Sequence, residues 1–195
     1  MSIQEICEKY GIENYTINED GSIDVNGSVD LSNEVITELP LKFGTVSGSF
    51  YCFENDLTTL KGSPKFVGRD FHCYENQLTS LEGSPEVVGD WFQCDSNKLT
   101  SLKGGPIKVG GSYVCVDNYI VDLDDITEEI GDRLICNNNP IASIANQMSA
   151  DFLRAFKSFK VLNGGVINLK RLRYLMSMFD KPILIEEIEN NYTIK

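Results

Sequence analysis

Residues 50–60 read FYCFENDLTTL, and the same phrase returns as FHCYENQLTSL at 71–81 and as FQCDSNKLTSL at 92–102. Two looser copies follow, YVCVDNYIVDL at 113–123 and LICNNNPIASI at 134–144, so the period is 21 residues. Cys52, Cys73, Cys94, Cys115 and Cys136 hold one register, and Asn55, Asn76, Asn97, Asn118 and Asn139 hold another. Phe50, Phe71, Phe92, Tyr113 and Leu134 fill a third, and Leu57, Leu78, Leu99, Ile120 and Ile141 a fourth. Gly68, Gly89, Gly110 and Gly131 also align, as do Pro64, Pro85 and Pro106. Self-similarity at a fixed period of this length marks a stacked repeat, in which neighbouring units together bury a core that none could bury alone.

Each unit is therefore expected to be one coil of a β-solenoid. In FYC, FHC, FQC, YVC and LIC the first and third residues are apolar, the period-2 pattern of a short strand with one buried face. One short parallel strand per coil, about 4.8 Å from the next, stacks the Phe, Cys and Leu columns into ladders. The Asn column follows the strand, where an amide can satisfy backbone groups that no sheet reaches. The Gly-Ser-Pro and Val-Gly stretches are expected to supply tight turns on a helix-free convex side.

The array needs ends. Ile3, Ile6, Cys7 and Tyr10 fall at helical spacing, and Asp20-Gly21 and Asn26-Gly27 read as hairpin turns. Residues 1–28 are thus expected to form a helix and hairpin cap, and 29–144 a solenoid of about six coils, the first degenerate. Phe152, Leu153, Phe156 and Phe159 mark one amphipathic helix. Ile167, Leu169, Leu172, Leu175, Met176 and Phe179 mark another, with Gly164-Gly165 between them. A short third helix follows Pro182, which makes 145–195 a helical C-terminal cap.

The unit F-x-C-x-x-N-x-L-T-x-L-x-G-x-P-x-x-V-G resembles a short leucine-rich repeat, with Cys at one core position and Asn in the asparagine place. The phrasing LTSLEGSP…VGDWFQC is similar to leucine-rich-repeat proteins encoded by tailed bacteriophages, as is the opening helix, hairpin (YTINEDGSIDVNGSVDLS) and LP-x-KFG-x-VSG. The resemblance covers roughly residues 1–145. It implies a virus-encoded protein in the bacterial host cytoplasm; activity is not implied, since repeat scaffolds host unrelated functions.

Composition narrows the function classes. The chain has 195 residues, 42% of them apolar and 24% charged, which suits one folded array. Seventeen Lys/Arg against 29 Asp/Glu give a net charge of −12, which opposes binding to nucleic-acid backbones. No run of apolar residues is long enough to span a membrane. Residues 145–195 hold eight Lys/Arg and five Asp/Glu, so the final quarter is basic where the rest is strongly acidic. The basic helix around Lys170, Arg171 and Arg173 reads first as a solvated face of the cap and second as a contact for a partner.

Catalytic and metal chemistry find little support. Five thiols spaced by 21 residues, with a single His, do not make a zinc pattern, and they read as packed core thiols that stay reduced. His72 is expected to point outward between Tyr51 and Gln93 of the adjoining coils, without a nucleophile to serve. Asp24 to Asp30 lacks the oxygen count and terminal Glu of a calcium loop. No cofactor, no metal site and no enzymatic activity are expected.

Strand alternation leaves one outward face that is not polar enough for a solvated sheet. Its middle column is Tyr51, His72, Gln93, Val114 and Ile135. Two residues on stand Phe53, Tyr74, Asp95 and Val116; two residues before the middle column stand Asp70 and Trp91. Aromatic side chains anchor interfaces, and an apolar stripe of several hundred Å² marks one. Glu54, Asp70, Glu75, Asp95 and Asp117 rim it, which suits a protein partner carrying basic groups. The expected function is non-catalytic protein binding through this concave face. With the phage resemblance, that becomes inhibition of a host toxin or defence enzyme. The alternative is a structural or self-associating scaffold of a virus, including a face-to-face homodimer.

Overall fold

In the computed structural model, which describes residues 1–127, 129–144 and 146–195, the chain winds into a β-solenoid of about five coils. Each coil crosses two parallel sheets, which corrects the expectation of one strand per coil. The first, the valine sheet, runs through Ile23–Val25, Phe43–Val46, Phe66–Val67, Val87–Val88, Lys108–Val109 and Glu129–Ile130. The second, the phenylalanine sheet, runs through Val29–Asp30, Phe50–Tyr51, Phe71–His72, Phe92–Gln93, Tyr113–Val114 and Arg133–Ile135. The valine-sheet strands at 66–67, 87–88 and 108–109 bury one residue each, Val67, Val88 and Val109, directly before a glycine, so no period-2 apolar pair marks them in the sequence.

Six parallel strands per sheet bound five turns, one fewer than expected. The turn begun at Leu134 does not close: Gln147–Ser149 instead pairs antiparallel with Arg133–Ile135. At the other end, parallel stacking starts with Ile23–Val25 against Phe43–Val46. Asp20-Gly21 does lie in a hairpin turn, between Tyr15–Ile17 and Ile23–Val25. Asn26-Gly27 does not. It forms the corner between the two sheets, with the Gly48 N–H donating to the Gly27 carbonyl across the coils.

That corner explains the glycine column. The Gly68, Gly89 and Gly110 N–H groups donate to the Val46, Val67 and Val88 carbonyls of the preceding coil. A Cβ on Gly89 would overlap the Gly68 carbonyl oxygen, and one on Gly110 would overlap that of Gly89. Only glycine allows the coils to close to this distance.

Stacked columns of like side chains fill the interior, among them the Leu57-to-Ile141, Leu60-to-Ile144 and Val46-to-Ile130 columns. Phe50, Phe71 and Phe92 are buried, with rings stacked 5.5 and 5.6 Å apart, and Tyr113 continues them at 4.8 Å from Phe92. Cys52, Cys73, Cys94, Cys115 and Cys136 are fully buried and unoxidised. Burial pushes all five thiols up, Cys136 to about 12, so none is a thiolate at neutral pH.

The Asn ladder stitches neighbouring coils, as expected from its place after the strand. Asn97 Nδ2 donates to the Cys73 carbonyl of the previous coil at 3.0 Å and to the Cys94 and Asp95 carbonyls of its own. Its Oδ1 accepts the Leu78 N–H at 2.9 Å. Asn76, Asn118 and Asn139 repeat the pattern one coil at a time. Immediately before each of them the chain turns through a left-handed residue: Glu54, Glu75, Ser96, Asp117 and Asn138 have φ between 50° and 55°.

The ends are irregular. Helix α1 (Ile3–Lys9) starts with a capping box between Ser2 and Glu5. After the last coil come α2 (Ala150–Ser158), α3 (Leu169–Met178) and α4 (Ile185–Glu189), the three helices read in the sequence. Gly164-Gly165, both at positive φ, turns a small hairpin of Leu162–Asn163 and Val166–Ile167, to which Thr193–Ile194 adds in parallel. The hairpin was not foreseen. Tyr192 Oη donates to the Val121 carbonyl at 2.7 Å, and Lys157 Nζ to the Ile126 carbonyl at 2.8 Å. These bonds hold the segment against the last full coil.

Candidate interaction face of the phenylalanine sheet

The residues facing away from the Phe and Cys ladders form one surface, because the register is unbroken: Tyr51 pairs with His72, His72 with Gln93, Gln93 with Val114 and Val114 with Ile135. Four of the expected site residues come into ring contact. Tyr51 lies 5.1 Å from His72 and 6.0 Å from Phe53, and Phe53 stacks on Tyr74 at 4.5 Å with only 11° between planes. His72 lies 6.0 Å from Tyr74. All four are half-buried, so the cluster presents ring surface to its surroundings. Stacked and tilted pairs of this kind hold one another's rotamers, which presents a rigid rather than a mobile apolar patch.

The other expected residues divide. Gln93, Asp95, Val116 and Ile135 are half-buried on the same face. Val114 is 7% exposed, which corrects its place in the apolar stripe: it is short, and Gln93 and Ile135 flank it in register. Trp91 is 42% exposed but has no ring contact with the cluster among the described residues. It precedes the strand, beside the corner, where a Cβ on Gly111 of the next coil would lie 2.9 Å from its Cδ1. Trp91 is thus a neighbour of the patch rather than its centre.

Asp70 is committed internally. Its Oδ1 accepts the Trp91 N–H at 3.2 Å and its Oδ2 the Ser49 hydroxyl at 3.2 Å, so one carboxylate spans three coils. Ser112 Oγ donates to Asp132 Oδ2 at 2.8 Å in the same way three coils on. Nothing in the strand alternation marks these serines as partners of the column.

Asp95 is the electrostatic anomaly. It sits half-buried between Tyr74 and Val116, and its buried Oδ1 has no hydrogen-bond partner among the described residues. Burial pushes its carboxyl up to about 6 against the help of its own backbone N–H, and Asp117 and Glu75 on the adjoining coils push the same way. The ion pairs among the described residues are Lys42–Asp20, Arg133–Asp132 and Arg154–Asp151, so none neutralises Glu54, Glu75, Asp95 or Asp117. Burial likewise raises Tyr74, with Glu54, Glu75 and Asp95 adding to it. His72 is lowered by burial, opposed by Asp70, and is neutral at pH 7; its Nε2 is buried without a partner among the described residues.

No group of three His, Cys, Asp or Glu among the described residues is placed to hold a metal ion. The faintly calcium-like stretch is used otherwise: Asp24 Oδ1 accepts the Thr45 N–H and Asp30 Oδ1 the Ser32 N–H. No helix among the described residues is long and apolar enough to cross a membrane. Comparison with family models, with curated proteins and with solved structures finds no match to this chain.

Proposed function

We propose that this chain is a non-catalytic protein-binding solenoid of the leucine-rich-repeat kind, with its irregular N- and C-terminal segments acting as caps. The docking surface is the outer face of the phenylalanine sheet. The observation that carries this reading is the half-exposed cluster of Tyr51, Phe53, His72 and Tyr74, held in register on a rigid two-sheet frame. A solvated sheet has no use for four contacting rings on its outer side, whereas a partner covering about 300 Å² of them gains on the order of 7 kcal/mol before association costs. Because Glu54, Glu75, Asp95 and Asp117 surround the rings without cations, the partner carries Lys or Arg opposite them. The resemblance to phage-encoded repeat proteins supports a host bacterial protein as that partner, with inhibition as the outcome.

The test is capture from bacterial lysate by the wild type and by a Tyr74→Ala/Trp91→Ala variant, with light scattering on each protein alone. One stoichiometric partner held by the wild type and released by the variant supports the reading. A partner retained by the variant removes the assigned face. A dimer that the variant dissociates gives the face to a second copy and overturns the heterologous reading.

A further inference from the structure

The basic tail has a surface cleft of its own. Between the end of α2 and the first turns of α3 lies a hollow of about 500 Å³, within the range of small-molecule sites. Three cations line it, Lys160, Lys170 and Arg171, together with Phe159, Tyr174 and Ser158; among the described residues no Asp or Glu does. None of the three cations takes part in an ion pair among the described residues. Arg171 Nη1 donates to the Lys160 carbonyl at 3.3 Å, which ties the guanidinium to the far wall. The Phe159 and Tyr174 rings meet at 5.6 Å and 58°, and Tyr174 remains 61% exposed, leaving ring surface open beside the cations.

Three like charges gathered at one hollow repel each other, and an anion placed between them relieves that repulsion. The α3 N-terminus is not the attraction, since its first N–H already donates to the Lys195 carbonyl. The cations and the rings are. Cations suit a phosphate, and Arg in particular can hold two of its oxygens at once. An open tyrosine face beside them suits a planar base, because base–aromatic stacking is worth about 1–3 kcal/mol.

We propose that the cleft between α2 and α3 binds a free nucleoside phosphate, its phosphates held by Lys160, Lys170 and Arg171 and its base stacked on Tyr174. This site lies apart from the phenylalanine-sheet face and does not depend on that face's function.

Calorimetric titration of the full chain with ADP, pyrophosphate and adenosine tests it, with Arg171→Glu and Tyr174→Ala beside the wild type. Both side chains are exposed, so both variants are expected to fold, which circular dichroism checks. The wild type is expected to bind ADP at least tenfold more tightly than either pyrophosphate or adenosine. Arg171→Glu is expected to weaken ADP at least tenfold; Tyr174→Ala is expected to weaken ADP about fivefold and leave pyrophosphate unchanged. Equal affinity for ADP and pyrophosphate, ADP binding unaffected by Arg171→Glu, or absence of ADP binding at millimolar concentration would each overturn the proposal. So would a preference for a short oligo-deoxyadenylate over ADP, which would make the cleft a nucleic-acid contact.

Discussion

A Cβ on Gly105 would stand 2.7 Å from the Tyr113 hydroxyl, so the two residues share one space. Neighbouring coils carry Ser63 and Ser84 in the Gly105 column and Phe71 and Phe92 in the Tyr113 column. The coil that gained a hydroxyl on the ring lost a side chain opposite it. Tyr113 Oη is nevertheless buried without a partner among the described residues. Gly105→Ser is expected to destabilise by about 1–3 kcal/mol through overpacking. Tyr113→Phe, which removes an unsatisfied hydroxyl, is expected to be neutral or stabilising by about 1 kcal/mol. In the double variant the serine has room again, so a denaturant-unfolding cycle is expected to show coupling rather than additivity.

Asn97→Ala removes one amide that serves two coils. The buried Leu78 N–H would lose its acceptor, and the Cys73 carbonyl would keep only the bond from Asn76 of its own coil. A loss of about 2–4 kcal/mol is expected, larger than for any exposed Asn, and urea unfolding measures it. A loss below about 0.5 kcal/mol would mean that the ladder is decorative.

Asp95 links the face to pH. Its carboxyl titrates near 6 in the folded chain and near the ordinary value of 3.8 when unfolded, so the unfolded state holds fewer protons between these values. Stability from this group is therefore full below about pH 4 and falls as pH rises through 6. Asp95→Asn is expected to stabilise at pH 7 by about 1–2 kcal/mol, after discounting the raw shift because the group is only half-buried. The gain is expected to vanish by pH 4. Unfolding curves of both proteins at pH 4, 5, 6 and 7 give the difference directly, with effects common to both cancelling.

Glu54 holds a left-handed turn at φ 52° in the column where Asn33 and Asn138 stand at 58° and 55°. Asn tolerates that conformation better than Glu does. Glu54→Asn is expected to raise stability by about 0.5 kcal/mol, seen as an upward shift in the thermal midpoint; a downward shift would show that the Glu side chain is needed there.

Much of this architecture was legible because each column repeats one physical constraint. The period, the Phe, Cys and Leu core ladders, the Asn stitch and the three tail helices all carried a signal over several residues. The valine sheet did not, since a strand such as Val87–Val88 buries a single residue, where F-x-C buries two, and looks like a turn flank between Pro and Gly. The Gly-Gly hairpin was hidden for the same reason. On the outer face, alternation correctly brought Tyr51, Phe53, His72 and Tyr74 together. It could not show that Asp70 is spent on Ser49 and Trp91, because hydrogen bonds between coils depend on rotamers rather than on register. The cleft of Lys160 and Tyr174 was equally invisible, being assembled from the end of one helix and the start of another.

The claim that most needs testing is that the aromatic cluster, and no other surface, docks the partner. Calorimetric titration of the captured partner into wild type, Tyr74→Ala and Lys61→Ala measures it, Lys61 being exposed on a turn away from the cluster. Tyr74→Ala is expected to weaken binding at least tenfold, as loss of a central aromatic anchor does, and Lys61→Ala to leave it unchanged. Wild-type affinity in Tyr74→Ala would contradict it.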